Sequence, residues 1–178
     1  MVKTAVLVSG GGVNLQSLID ASMFGEIPQC ELTAVISSNP DAYALKRAEM
    51  AGIPSYVVDR ELFPSQTVFG FAILDKLRDM DIKLVVLAGF DCELTQPIFK
   101  HYGGRIIDVY SSLMPAFSQE GLSGIGIQEA ALKAGVRISG ATVYFVTEKP
   151  NFGPIILQKA VAVRESDTPV TLQRRILG

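Results

Sequence analysis

Five short runs of β-branched and aliphatic residues, each separated from the next by a helical pattern, constrain this chain more than any other feature. The runs are residues 2–8, 32–37, 55–58, 84–88 and 105–109. Between the first two, Leu15, Leu18, Ile19 and Met23 make a helical stripe over residues 14–24. Asn39-Pro40 reads as an N-cap followed by the first helical position, opening a helix to Ala51 that Gly52 stops. Phe69, Ile73, Leu77 and Met80 share one face of a helix over 68–80, and 97–102 is a shorter helix. Parallel neighbours need such crossovers, so the alternation predicts an α/β, doubly wound, mostly parallel sheet. The wholly apolar run 84–88 suits a strand covered on both faces. Ligands of such sheets sit beyond the carboxyl ends of the strands.

The pattern loosens after Leu113. Residues 114–126 form a long loop, 127–134 a helix closed by Gly135, and 139–146 and 154–163 two long strands read as an antiparallel extension. A last helix runs over 168–177. No repeat or linker interrupts the chain, which is expected to be one domain over 1–178. Sixteen basic and eighteen acidic residues leave a net charge of −2, without the basic excess that a nucleic-acid or anionic-membrane partner needs. The cysteines, Cys30 and Cys92, do not make a CxxC pair, and His101 is the only histidine, so no disulfide framework and no metal site is expected. The longest apolar run spans residues 84–90, against the roughly 20 residues a membrane-spanning helix requires. No signal-type segment is visible, and the expected location is the cytoplasm.

Three segments fall at strand ends. Ser9-Gly10-Gly11-Gly12-Val13-Asn14 joins the first strand to the first helix, where free N–H groups favour an anion. It departs from the dinucleotide fingerprint, because Leu15 stands where a third glycine belongs, and no Lys-Ser/Thr follows. A plain tight turn is the alternative. Gly89-Phe90-Asp91-Cys92-Glu93-Leu94 closes the 84–88 strand as a ligand wall, or as an ordinary exposed terminus. Asp108 and Tyr110 are two apart on a strand and so point the same way, which suits acid–base work or simply a surface acid beside a half-buried ring.

The blocks SGGGVNLQ, VVLAGF, SLMPAF, GATVYFVTE and GPIILQKAV, in that order, closely resemble phosphoribosylglycinamide formyltransferases. The resemblance runs over essentially the whole chain. It implies transfer of a formyl group from 10-formyltetrahydrofolate to the amine of glycinamide ribonucleotide, a step of purine synthesis, in a monomer or homodimer. It also implies a phosphate site at Gly11, Gly12, Val13 and Asn14. The folate wall would be Gln66, Gly89, Phe90, Asp91, Cys92, Glu93 and Leu94. The family's catalytic asparagine, histidine and aspartate fall here on Asp108, Tyr110 and Asn151, all three substituted. Gln66 replaces a folate-contacting arginine, Val13 a serine or threonine, and residues 124–128 a histidine-bearing stretch. The chain ends at Gly178, before the family's terminal Glu-His pair, so the domain is expected to be short at its C-terminus.

Loss of one oxyanion donor costs about 10²–10³ in rate, and an ionised Asp108 would repel the oxyanion besides. The resulting expectation is a family member with lost or much reduced transfer. Two other readings stay open: a non-catalytic module holding a phosphate-bearing ligand, and a transferase or hydrolase working through Asp108 and Tyr110.

Overall fold

The computed structural model describes residues 1–118, 121–149 and 153–178. The elements run β1 (Val2–Val8), α1 (Val13–Met23), β2 (Cys30–Ser37), α2 (Tyr43–Met50), β3 (Ser55–Val57), a 3-10 turn (Arg60–Leu62) and α3 (Gln66–Asp79). Then follow β4 (Leu84–Leu87), α4 (Gln96–Tyr102), β5 (Ile106–Tyr110), α5 (Gly126–Lys133), β6 (Ile138–Phe145), β7 (Ile155–Ala162) and α6 (Pro169–Leu177). The strands form a sheet in the order β3-β2-β1-β4-β5-β6-β7. This is the mostly parallel α/β sheet that the alternation predicts, with an antiparallel pair at its C-terminal end. The chain divides into two compact units, Met1–Ile107 and Asp108–Gly178.

In the first unit β1 lies between β2 and β4, parallel to both. Val6 and Val8 pack with Leu15 and Ile19 of α1, Ala44 and Ala48 of α2, Val35 and Val86. The alternate residues Ala5 and Leu7 are equally buried, so β1 is covered on both faces. Each valine, leucine or isoleucine side chain so buried contributes roughly 1.5–3 kcal/mol. Helix α3 buries Phe69, Ile73 and Leu77, the stripe expected from the sequence. Its start lies at Gln66, two residues earlier than the apolar pattern suggests, because the Ser65 hydroxyl caps the Val68 N–H at 3.3 Å.

One boundary is corrected. Asn39-Pro40 does not open α2, which begins at Tyr43. The Asn39 side chain accepts from the Asp41 N–H at 2.9 Å, and its carbonyl accepts from Ala42 N at 3.3 Å. The asparagine therefore closes a turn of its own before the helix starts.

In the second unit β6 and β7 pair antiparallel from Ile138↔Ala162 to Tyr144↔Ile155. Thr168 and Thr171 form a reciprocal capping box that starts α6. Arg175 donates to the Asp167 carboxylate at 2.6 Å and to the Ala162 carbonyl at 3.0 Å, tying α6 to the end of β7. No described helix is long and apolar enough to cross a membrane.

Candidate functional site

The glycine loop is built by α2 as much as by β1. Gly12 has φ 71° and ψ 32°, and a β-carbon there would stand 2.8 Å from Ala44 Cα. Only glycine takes that conformation at that approach without strain. The Gly10 carbonyl accepts from Ala44 N at 3.0 Å, and the Gly11 carbonyl accepts from Arg47 Nε at 2.8 Å. The carbonyls thus turn towards α2. Among the described residues, no acceptor meets the N–H groups of Gly11, Gly12, Val13 or Asn14. Those groups open the N-terminus of α1, where partial positive charge favours an anion. Val13 is exposed and offers no hydroxyl. Arg47 went unnoticed in the sequence. It lies 36 residues from Gly11, and only the packing of α2 on α1 reveals it.

Serine hydroxyls join the loop to the end of β4. Ser9 Oγ lies 2.6 Å from Ser38 Oγ and accepts from the Asp91 N–H at 3.1 Å, while Ser9 N donates to the Gly89 carbonyl at 2.9 Å. Gly89 has φ 71°, which turns the chain away from the sheet. The Phe90 ring stacks on Phe69 at 6.4 Å. Asp91 and Glu93 are exposed, and Cys92 and Leu94 are half-buried. Burial pushes the Cys92 thiol above its ordinary value, against a hydrogen bond from Ser38. Gln66 is held at both ends: its Oε1 accepts from Arg60 Nε at 2.7 Å, and its Nε2 donates to the Glu93 carbonyl. In the first unit the loop and the 89–94 segment therefore meet at the carboxyl ends of β1, β2 and β4.

In the second unit Asp108 is enclosed. Its Oδ1 accepts from the Val109 N–H at 2.7 Å, and its Oδ2 accepts from the Tyr144 hydroxyl at 3.0 Å. Burial raises its pKa from 3.8 to about 6, although both hydrogen bonds pull the other way. The Tyr144 phenol is driven well above its ordinary range, first by burial and then by the Asp108 charge. Tyr110 does not bond to Asp108. Its hydroxyl points at two carbonyls, Phe117 and Leu122, each at 3.0 Å. Tyr110, Met114, Ile127 and Tyr144 pack as one apolar cluster of this unit, and Tyr144 is the member that bonds the carboxyl.

The partner of Asp108 is thus Tyr144, a residue the sequence reading passed over. Alternation along β6 puts Tyr144 on the buried face with Thr142, but the pairing spans 36 positions. Thr142 Oγ1 accepts from Met114 N at 3.0 Å and donates to the Ser112 carbonyl at 2.7 Å. Gln128 is fully buried and donates to the Ser111 carbonyl at 2.7 Å, so it braces the loop after β5. Asn151 lies outside the described residues. His101 is exposed on α4. Among the described residues no group of three metal-binding side chains occurs.

The family model of formyl transferases matches residues 2–178. The chain is 34% identical to the phosphoribosylglycinamide formyltransferase of Bacillus subtilis, over 99% of its own length and 87% of that protein's. It is 38% identical to the chicken (Gallus gallus) trifunctional purine biosynthetic protein adenosine-3 over 98% of its length, and spans 17% of that much longer protein. Among solved structures, glycinamide ribonucleotide transformylase 1 from Symbiobacterium toebii superposes with a TM-score of 0.93 at 41% identity. That match covers 99% of this chain and 81% of the other.

Proposed function

Because the chain belongs to the phosphoribosylglycinamide formyltransferase family, we propose that it keeps the family's ligand-binding frame while its formyl transfer is lost or much reduced. The donor on this reading is 10-formyltetrahydrofolate and the acceptor is the amine of glycinamide ribonucleotide. Attack of that amine on the formyl carbon gives a tetrahedral oxyanion. The site must then offer hydrogen-bond donors to the oxyanion and a group that moves the amine's proton.

The observation that carries the reading is the double occupancy of the Asp108 carboxyl. Both of its oxygens accept, one from Val109 N–H and one from Tyr144. With a pKa of about 6 it is mostly ionised at pH 7, so it presents negative charge where a donor is required. The Tyr110 hydroxyl is committed to backbone carbonyls, which argues against an Asp108–Tyr110 acid–base pair.

The glycine loop supports retained binding of a phosphate-bearing ligand. Its N–H groups need no catalytic side chain, and Arg47 adds positive charge beside Gly11. A metal ion plays no part in this reading.

The test is direct. The chain is incubated with glycinamide ribonucleotide and 10-formyltetrahydrofolate, and release of deformylated folate is followed by absorbance. No measurable transfer is expected. Turnover in the ordinary enzyme range, ~1–10³ s⁻¹, overturns the proposal. In parallel, glycinamide ribonucleotide is expected to raise the melting temperature, as any ligand of the folded state alone must.

A further inference from the structure

The amino-terminal ends of β1 and β2, opposite to the ends that carry the glycine loop, hold a second concave surface. A pocket of about 310 Å³ opens there between the last turn of α1, the first residues of β2 and the segment after α2. Ile19, Leu32 and Ile53, all at least partly buried, line it together with the exposed Met1 and Met23. Residues next in the chain widen the apolar surface: Met23 is 77% exposed, Phe24 79% and Met50 80%. Single exposed apolar residues are ordinary, but a group of them beside a pocket marks a binding surface. Methionine, unbranched and polarisable, adapts to the shape of what it meets.

The charge around this pocket has one sign. From Thr4 to Leu45 the chain has no lysine or arginine, while Asp20, Glu26, Glu31 and Asp41 fall in that stretch. Helix α1 has no basic residue in its last turn, so the negative end of its dipole is uncompensated beside the pocket. Asp20 adds an acid one turn before Phe24, and Glu26 follows, exposed, with its N–H on the Ala21 carbonyl at 2.8 Å. Two other nearby acids have cations of their own: Glu31 stands beside Lys3 of β1, and Glu49 is bridged by Lys46. Asp20 accepts only from the neutral Gln16 amide, at 2.8 Å, and among the described residues no cation pairs with Asp20 or Glu26. An acid at a helix C-terminus without a counter-charge is unfavourable, and a cation brought by a partner relieves it.

The kind of partner follows from the elements at the pocket. β1 lies between β2 and β4, and β2 between β1 and β3, so neither strand has a free edge for an added strand. A convex element must insert side chains instead. We infer that this pocket docks an amphipathic helix of a partner protein. The helix buries a large apolar anchor against Ile19, Leu32 and Ile53, and sets lysines or arginines against Asp20, Glu26 and the end of α1. At about 310 Å³ the pocket is near the lower limit of ligand sites, roughly 300–1,000 Å³, which suits an anchoring side chain. None of these residues belongs to the glycine loop or the 89–94 segment, so the docking site stands apart from the folate reading.

The experiment uses the full chain and three synthetic peptides of about 18 residues, long enough to hold a helix. The first carries leucines on one helical face and lysines on the other. The second has glutamates for the lysines, and the third has the composition of the first with its leucines scattered around the helix. Dissociation constants are measured by calorimetry, and backbone amide shifts locate the site. The wild type is expected to bind the first peptide in the micromolar range, at least about tenfold more tightly than either of the others. The shifts are expected to centre on residues 19–32 and 50–53. Met23→Gln with Met50→Gln changes no charge and is expected to weaken binding about tenfold or more. Asp20→Asn with Glu26→Gln keeps the apolar surface, and is expected to weaken binding several-fold and to flatten its salt dependence. All four side chains are exposed, and thermal unfolding checks that each variant folds. Equal affinity for the three peptides, shifts centred elsewhere, or variants that bind like the wild type each overturn the inference. So does a wild-type dimer in sedimentation that the double methionine variant dissociates, because the surface then belongs to a second copy of the chain.

Discussion

A single carboxyl oxygen, where the family's pattern has an amide, sets the chemistry of position 108. The Asp108 carboxyl binds its proton more tightly folded than unfolded, with a pKa of about 6 against 3.8. Its contribution to stability is therefore fully present below pH 3.8 and is lost as pH rises through about 6. Asp108→Asn removes that loss. It is expected to stabilise the chain at pH 7.5 relative to wild type, by up to about 3 kcal/mol, and to give little difference at pH 4. Denaturant midpoints at the two pH values measure it. Equal offsets at both would show that the carboxyl titrates normally. Tyr144→Phe tests the same contact from the other side. It strands an enclosed oxygen and is expected to destabilise the chain at neutral pH by roughly 1–3 kcal/mol. Neither effect was legible in the sequence. Asp108 and Tyr110 share a strand face, which local alternation reveals, but Tyr144 comes from another strand 36 positions away. Arg60 and Gln66 are only six apart, yet they meet through a 3-10 turn that no apolar period announces.

At the scale of elements, the loop between β1 and α1 depends on how closely α2 approaches it. Gly12→Ala sets a β-carbon 2.8 Å from Ala44 and forces an L side chain to φ 71°. The combined strain is expected to cost at least about 2 kcal/mol. Inorganic phosphate is expected to move the backbone amide resonances of residues 9–15 in the wild type, with millimolar to high-micromolar affinity, about −4 to −6 kcal/mol. In Gly12→Ala those shifts are expected to disappear. Wild-type resonances that stay fixed at tens of millimolar phosphate would make the loop a turn and nothing more. The elements themselves were largely readable, because their signals are local. An apolar run ending in three glycines marks β1, and the Phe69, Ile73, Leu77 stripe marks α3. Asn39 misled for an equally local reason: an asparagine caps a turn as readily as a helix, and here Asp41 lies within its reach.

For the whole molecule, repair of the reacting centre alone is expected to fall short. The triple variant Asp108→Asn, Tyr110→His and Asn151→Asp restores the family's catalytic residue types but leaves Gln66, Asp91 and Glu93 unchanged. Positioning of two substrates supplies much of the advantage in a bimolecular reaction. Formyl transfer by the triple variant, assayed as above, is expected to stay below that of the Bacillus subtilis relative. Parity would show that the binding wall matters less than its charges suggest. The order in which the chain is made also bears on the site. Strand β1 pairs on one edge with β2, Val2 with Cys30, but on the other with β4, Thr4 with Leu84. The second edge therefore closes only across a far longer stretch of chain, and such pairings form slowly. A nascent chain growing at about 5–20 residues per second leaves that edge open for several seconds. Ser9 meets the Gly89 carbonyl and the Asp91 amide only once β4 has docked. The hydroxyl bridge beneath the glycine loop is thus among the last contacts of the first unit to form, well after Ser9 itself has been made.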